Sequence, residues 1–421
     1  MSAVGDLRMS RAGEASYTRP LEGFVAASVV VAAVTYNFAL CFVDTKLFSI
    51  NPTIVILCEA MLIGTAFGLI WYRTPILYVI LSLLAAYFFA VMVIRSEFDA
   101  KILRDCLIPI AFIFLGTYSG SLRSADQLVT LLIMLALGTA LLEWLALDTY
   151  LHFFDVMKYY VARGTETNLA ADTASGVFIK STDSAAGLYI NGTRFEDRTF
   201  LPFLGNHRVS GIFLEPVSVG NFGVIAFAWI LLRESRFWTF LFKTVAIAAT
   251  LILADARFGV YLSAFLLVIY FAARVVRPTM LFLAPFVVII ALVAAYAAGG
   301  AGADNSLAAR LTTAGHFIAS LTPSQVFGMQ TSDFFVTGYA GDSGYGYALV
   351  KVGVVGLLGI WALFVYAPVW DKDAWRFKVF VAFYTTFLLA VSASMFSIKT
   401  AALLWFLYGT LNRPCHRLRS A

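Results

Sequence analysis

The residues best suited to chemistry stand in HRVSGIFLEPVSVGN, positions 207 to 221. Arg208 lies three residues ahead of Gly211, Glu215 and Pro216 follow, and an apolar run begins directly after them. An arginine at such a junction meets whatever anion lies at a membrane surface. Two further arginines occupy comparable places: Arg257 in LADARFGVY, between two short apolar runs, and Arg310 in LAARLTTAGHFIASL, a plausible amphipathic helix that also carries His316. A guanidinium is a planar fork that binds phosphate oxygens bidentately and keeps its charge. Three of them converging on one lipid headgroup make a pyrophosphate clamp that works without a divalent metal. The plain alternative for Arg208 is an interfacial anchor at a helix start.

Other charged residues fall in or near apolar runs, where an ionisable side chain is a functional candidate by default. They are Lys243, Lys351, Lys399, Arg104, Asp105 and the pair Asp255 and Arg257. Structural roles compete for each. Lys243 is placed to snorkel toward the cytoplasmic surface, and Arg104 and Asp105 form a local ion pair at a helix end. Lys351 and Lys399 are expected to bridge internally to Asp105 or Glu59. Asp255 and Arg257 read equally as a solvated turn or as part of a site.

These residues are positioned by hydrocarbon-spanning helices. The 421 residues are 61% hydrophobic and only 13% charged, where soluble domains carry about 25% charged residues. The chain is therefore read as one all-α polytopic membrane domain, residues 1–421. A span needs about twenty apolar residues, and twelve stretches qualify: 22–43, 51–72, 76–94, 103–120, 128–147, 216–232, 239–254, 259–273, 279–297, 345–368, 379–396 and 399–411. With the N-terminus cytoplasmic, fifteen of the thirty Lys and Arg fall in inside segments, so the positive-inside rule puts both termini in the cytoplasm. The net charge of +5 reports that bias and not nucleic-acid binding. Cys41, Cys58, Cys106 and Cys415 show no paired spacing and the histidines are dispersed. Neither disulfides, a metal site nor a cofactor is expected.

Two outer loops are long, 148–215 and 298–344, and loops of that length are usually functional or disordered. The first opens with LHFFDVMKYYVARG, whose mixed aromatic spacing suits a helix lying on the membrane surface. Its remainder is rich in Ser, Thr, Gly and Ala and reads as turns or short strands.

The order of these features resembles the O-antigen ligase and polymerase superfamily, over roughly residues 98 to 410. The R-x-x-G of Arg208 and Gly211 and the arginine turn ADARFG are part of it. So is DSGYGYALVKVGVVGLLG, in which Asp342 and Ser343 precede nine residues, Gly353, two residues and Gly356. That string is similar to the ligase pattern H-[NSQ]-x9-G-x-x-G, with Asp342 standing where a ligase has histidine. FDAKILRDCLIPIAFIFLG and KTAALLWFLYG look like the branch of repeat-unit polymerases for exopolysaccharide and capsule. The resemblance implies a GT-C-like fold of about twelve spans in the inner membrane, with two long periplasmic loops. It implies transfer of a growing glycan from undecaprenyl pyrophosphate to a lipid-linked repeat unit, with a flippase and chain-length or export proteins as partners. Asp342 is then the expected base, with His316 and Glu215 as its substitutes and Arg208, Arg257 and Arg310 on the pyrophosphates. His207, Glu215, His316, Ser343 and Lys399 complete the substrate-binding set. Read without the family, Asp342 or Ser343 caps the tenth span, and Gly353, Gly356 and Gly359 form a packing face for a neighbouring helix. A ligase, for lipid or for protein, and a flippase of lipid-linked sugars stay open as other functions.

Overall fold

A computed structural model describes residues 20–73, 75–96, 99–163, 201–205, 207–299, 307–330 and 343–413. Within them the chain is helical. In order come α1 (Pro20–Lys46), α2 (Pro52–Ile70), α3 (Pro75–Arg95), α4 (Ala100–Ser119), α5 (Leu122–Leu145), α6 (Leu147–Phe153), α7 (Val156–Ala162), α8 (Pro216–Arg233), α9 (Phe237–Leu253), α10 (Arg257–Ala272), α11 (Pro278–Gly299), α12 (Leu307–Ser320), α13 (Pro323–Val326), α14 (Gly344–Tyr366), α15 (Lys372–Val391) and α16 (Ile398–Leu411). Twelve of these coincide with the twelve apolar stretches. Eight are long and apolar enough to cross a membrane. The others are α4, which carries Lys101, Arg104 and Asp105, and the shorter apolar helices α9, α10 and α16.

Helix starts follow local chemistry. Pro opens α2 and α8, where the missing N–H costs nothing. Asn51, Asp99, Ser121, Ser343 and Asp371 accept backbone N–H bonds as N-caps. Ser343 thus takes the capping role expected of it, its Oγ accepting from the Gly346 N–H at 3.1 Å. The centre of the bundle is α8, α15 and α16. Burial reaches 78% in the apolar window of α8 and 72% in that of α15, against 17% for α3 and 11% for α11, which therefore face lipid. Every residue of α16 is buried, and it packs along the length of α4.

The segment 150–163 corrects the surface-helix expectation. It breaks at Phe154 into α6 and α7 and turns Tyr150, Tyr159 and Tyr160 into the protein. Tyr159 Oη bonds Asn37 Oδ1 at 2.6 Å, and the Asp155 N–H donates to Thr45 Oγ1 at 2.9 Å. Buried tyrosines with hydrogen-bonded hydroxyls suit a protein interior better than a headgroup layer.

Helix α14 is kinked at Gly353, with φ 78° and ψ 156°. That region is essentially closed to side chains other than glycine's, and a Cβ there would come within 2.6 Å of the Phe327 carbonyl oxygen. The break strands backbone groups, which α3 takes up. Arg95 donates to the carbonyls of Val350 at 2.6 Å, Lys351 at 3.1 Å and Gly328 at 2.5 Å. Tyr87 Oη donates to the Val352 carbonyl and accepts from the Gly356 N–H at 3.2 Å. The G-x-x-G thus serves close approach, but to Tyr87 and the 327–328 turn. Gly359, expected on the same face, has open space at its Cβ. Accordingly, Gly353→Ala should lower the thermal midpoint of detergent-purified protein, at a cost of about 1–3 kcal/mol from backbone strain alone. Gly359→Ala should leave it unchanged or raise it.

A second repair joins α11 to α14. Pro285 cannot donate to the Leu281 carbonyl. The Trp361 indole N–H does so instead, at 3.2 Å, and also reaches the Phe282 carbonyl.

Candidate functional site

The R-x-x-G segment is held by a carboxylate from another helix. Glu143, on the last turn of α5, is fully buried. It accepts the His207 Nε2 bond at 2.7 Å, the Ser210 N–H at 2.9 Å and the Gly211 N–H at 2.6 Å, with Ser210 Oγ at 3.2 Å. Thr139 Oγ1 accepts from the Ile212 N–H at 3.1 Å, and Tyr150 Oη donates to the Gly211 carbonyl at 2.9 Å. Glycine is required at 211 for two reasons: its φ is +52°, and a Cβ would sit 2.9 Å from Thr139 Oγ1. Charge-assisted bonds of this kind are the strong ones, so Glu143 fixes the path of residues 207–211.

Across from α5, the segment lies on the turn between α9 and α10. The Val209 N–H donates to the Leu253 carbonyl at 3.1 Å. Arg208 donates through Nε to the Ala254 carbonyl at 3.2 Å and through Nη2 to the Asp255 carbonyl at 3.4 Å. The Asp255 carboxylate is buried and pairs with Arg257 at 3.3 Å. The turn is therefore not a solvated one. It brings Arg208 and Arg257 to the same five residues. Backbone strain concentrates here: of the described non-glycine residues with positive φ, Leu214 (60°) and Asp255 (45°) belong to this assembly. Such outliers persist where surrounding structure over-determines them, and they cluster at functional sites.

At the other end of the segment, Lys399 enters from α16, 2% exposed along its side chain. Its Nζ lies 2.5 Å from Glu215 Oε1 and donates to the Phe213 carbonyl at 3.2 Å. Ser218 Oγ also bonds Glu215, and Tyr160 Oη reaches it at 3.4 Å. Lys399 thus pairs with Glu215, not with Asp105 or Glu59, and Lys351 pairs with Asp99 at 2.7 Å. Burial opposes the charge on Glu215, but the Lys399 ammonium outweighs it and holds the carboxyl below its ordinary value. A lowered carboxylate pKa stabilises the fold fully above the unfolded value, and that contribution is lost as pH falls through the lowered folded value. The thermal midpoint should therefore fall on acidification below about pH 4.5, the ordinary carboxyl value. In Glu215→Gln that part of the fall should be missing.

A second polar cluster adjoins Glu215. Arg163, at the end of α7, lies 3.8 Å from Glu59 of α2, which also binds Tyr36 and, at 2.5 Å, Arg104. Arg104 pairs with Asp105 at 2.6 Å as expected, and Asp105 accepts from Tyr347 Oη at 2.7 Å. Lys243 pairs with Glu234 at 2.8 Å.

The remaining expected residues are elsewhere. Arg310 is exposed on α12, a helix packed chiefly on α11. His316, on the same helix, stacks on Tyr296 with ring centroids 4.6 Å apart. Asp342 lies outside the described residues. A hollow of about 580 Å³ lined by Arg123, Asp126, Gln127, Thr130 and Arg233 sits at the opposite end of α5 from Glu143. Within it Arg233 pairs with Asp126 at 3.5 Å, and it holds none of the candidate residues.

Sequence reasoning passed over Glu143 and Arg163. The signal for Glu143 was present: an acid within LLIMLALGTALLEWL should count as an intramembrane carboxylate, but its place near the end of the run reads as interfacial. Arg163 carries no such signal.

Composition, eight spanning-length apolar helices and a buried polar interior define a multi-pass helical membrane protein. Comparisons with protein-family models, with characterised proteins and with solved structures return no match to this chain.

Proposed function

We propose that the protein is a glycan polymerase that transfers a growing chain from undecaprenyl pyrophosphate to a lipid-linked repeat unit. In this reading all twelve helices cross the inner membrane, both termini are cytoplasmic, and the site faces the periplasm. The observation that carries it is the locking of the Arg208 segment onto the Asp255–Arg257 turn. Two guanidiniums on one strained, carboxylate-anchored frame suit a doubly charged leaving group better than a single helix anchor does. Arg208 has five N–H donors and its bonds to two carbonyls orient the fork. Arg310, on its own helix, serves the acceptor's pyrophosphate in this scheme. Charge on the departing diphosphate is then stabilised by arginine in place of metal.

The test is reconstitution of purified protein in vesicles with lipid-linked repeat units. Polymer should form, and should still form in EDTA. Unextended repeat units at every time point would refute the reading, and a strict need for added divalent metal would refute the arginine clamp. In cells, loss of a polymerase leaves single repeat units on the carrier, whereas loss of a ligase strands long polymer there.

A further inference from the structure

Resting on the transferase reading, we infer that His207 is the general base for the acceptor hydroxyl and that Glu143 is its positioning residue. An ionised carboxylate offers only acceptors, so the ring nitrogen 2.7 Å from Glu143, Nε2, is the one that carries hydrogen. In the neutral ring the lone pair is then on Nδ1. That atom is enclosed and has no hydrogen-bond partner among the described residues. An enclosed acceptor without a donor costs about 1–3 kcal/mol, and a sugar hydroxyl that displaces what covers Nδ1 supplies the missing donor.

The arrangement has the logic of a base oriented by a third group. Glu143 fixes the tautomer, and it stabilises the imidazolium formed when Nδ1 takes the proton. Glu143 itself is anchored by the N–H groups of Ser210 and Gly211, so the acceptor that orients the ring is fixed by the R-x-x-G path. His207 is one peptide unit from Arg208, which places base and clamp on one rigid segment. Of the charged and titratable groups on the elements packed against this segment, Glu143 of α5 contacts the ring, Tyr150 of α6 bonds the Gly211 carbonyl, Arg208 reaches the Asp255 carbonyl, and Asp255 pairs with Arg257.

The step balances without a further reactant. The acceptor O–H proton passes to Nδ1 and the oxygen bonds the donor's anomeric carbon. The bond from that carbon to the diphosphate oxygen breaks, and its electron pair leaves with the diphosphate. The proton on Nδ1 is released to solvent before the next cycle.

The decisive variant is His207→Gln, whose amide can keep the bond to Glu143 but has no titratable nitrogen. In reconstituted vesicles with lipid-linked repeat units, wild type should lose kcat/KM on acidification between about pH 5 and 8, the range in which histidine charges. His207→Gln should be slower by about 10²–10⁴-fold, the usual worth of general base catalysis, and its acid limb should be gone. Glu143→Gln should change the position of the limb, which loss of loop structure alone does not do. Should His207→Gln fail to insert, imidazole added to His207→Gly should restore turnover. Activity of His207→Gln within about threefold of wild type overturns the assignment. So does an acid limb that survives in His207→Gln and vanishes in Asp342→Asn, or a wild-type profile flat over this range. Wild type that makes no polymer in this assay refutes the transferase reading itself, whatever the variants do.

Discussion

Arg208→Ala should abolish polymer formation, with a loss of at least about a hundredfold, the scale on which removal of a single preorganised charge donor is felt. The protein should remain inserted and monodisperse, because Glu143 holds the segment through the N–H groups of residues 210 and 211, not through Arg208. Arg208→Lys should not rescue. The side chain reaches two successive carbonyls, of Ala254 and Asp255, from two different nitrogens, and a single ammonium cannot reproduce that fork. Transfer is measured as ladder formation from lipid-linked repeat units, with insertion checked by size exclusion in detergent. Normal ladders from Arg208→Ala would remove the clamp from the mechanism.

The largest effect on stability is expected at Lys399. Replacing it with methionine leaves the mostly buried Glu215 carboxylate without its 2.5 Å partner, and breaking a fully buried pair by removing one member costs about 3–5 kcal/mol, the upper bound here. The double variant Lys399→Met, Glu215→Gln should regain much of that loss, since a neutral amide can still meet Ser218 and Tyr160. The measurement is the thermal midpoint of each variant in one detergent. A Lys399→Met protein as stable as wild type would show that the pair contributes little.

Helix positions were legible from the apolar runs because a membrane demands continuous hydrophobicity. The twelve stretches and the described helices agree to within a few residues at most ends, α5 and α15 starting earlier. Ser343 as a cap and the Arg104–Asp105 pair were readable because both depend on neighbours in sequence. Pairings between distant helices were not. Lys399 lies 184 positions from Glu215, and Asp99 lies 252 positions from Lys351; several acids satisfy a buried lysine equally well on paper. Glu143 was missed for the same reason, since nothing in α5 announces that residues 207 to 211 lie against it. The kink at Gly353 was half visible, as a glycine pair without its Tyr87 partner.

That kink bears on how the chain is assembled. Inside a bilayer, a helix must satisfy its own backbone, and α14 does not, because Arg95 and Tyr87 of α3 complete its hydrogen bonding. A ribosome delivers α3 more than 250 residues before α14 is finished, so the completing groups are already in place when they are needed. Severed between α11 and α12, the C-terminal piece would enter the membrane with its ladder open. Co-expression with the N-terminal piece, and not higher expression alone, would close it.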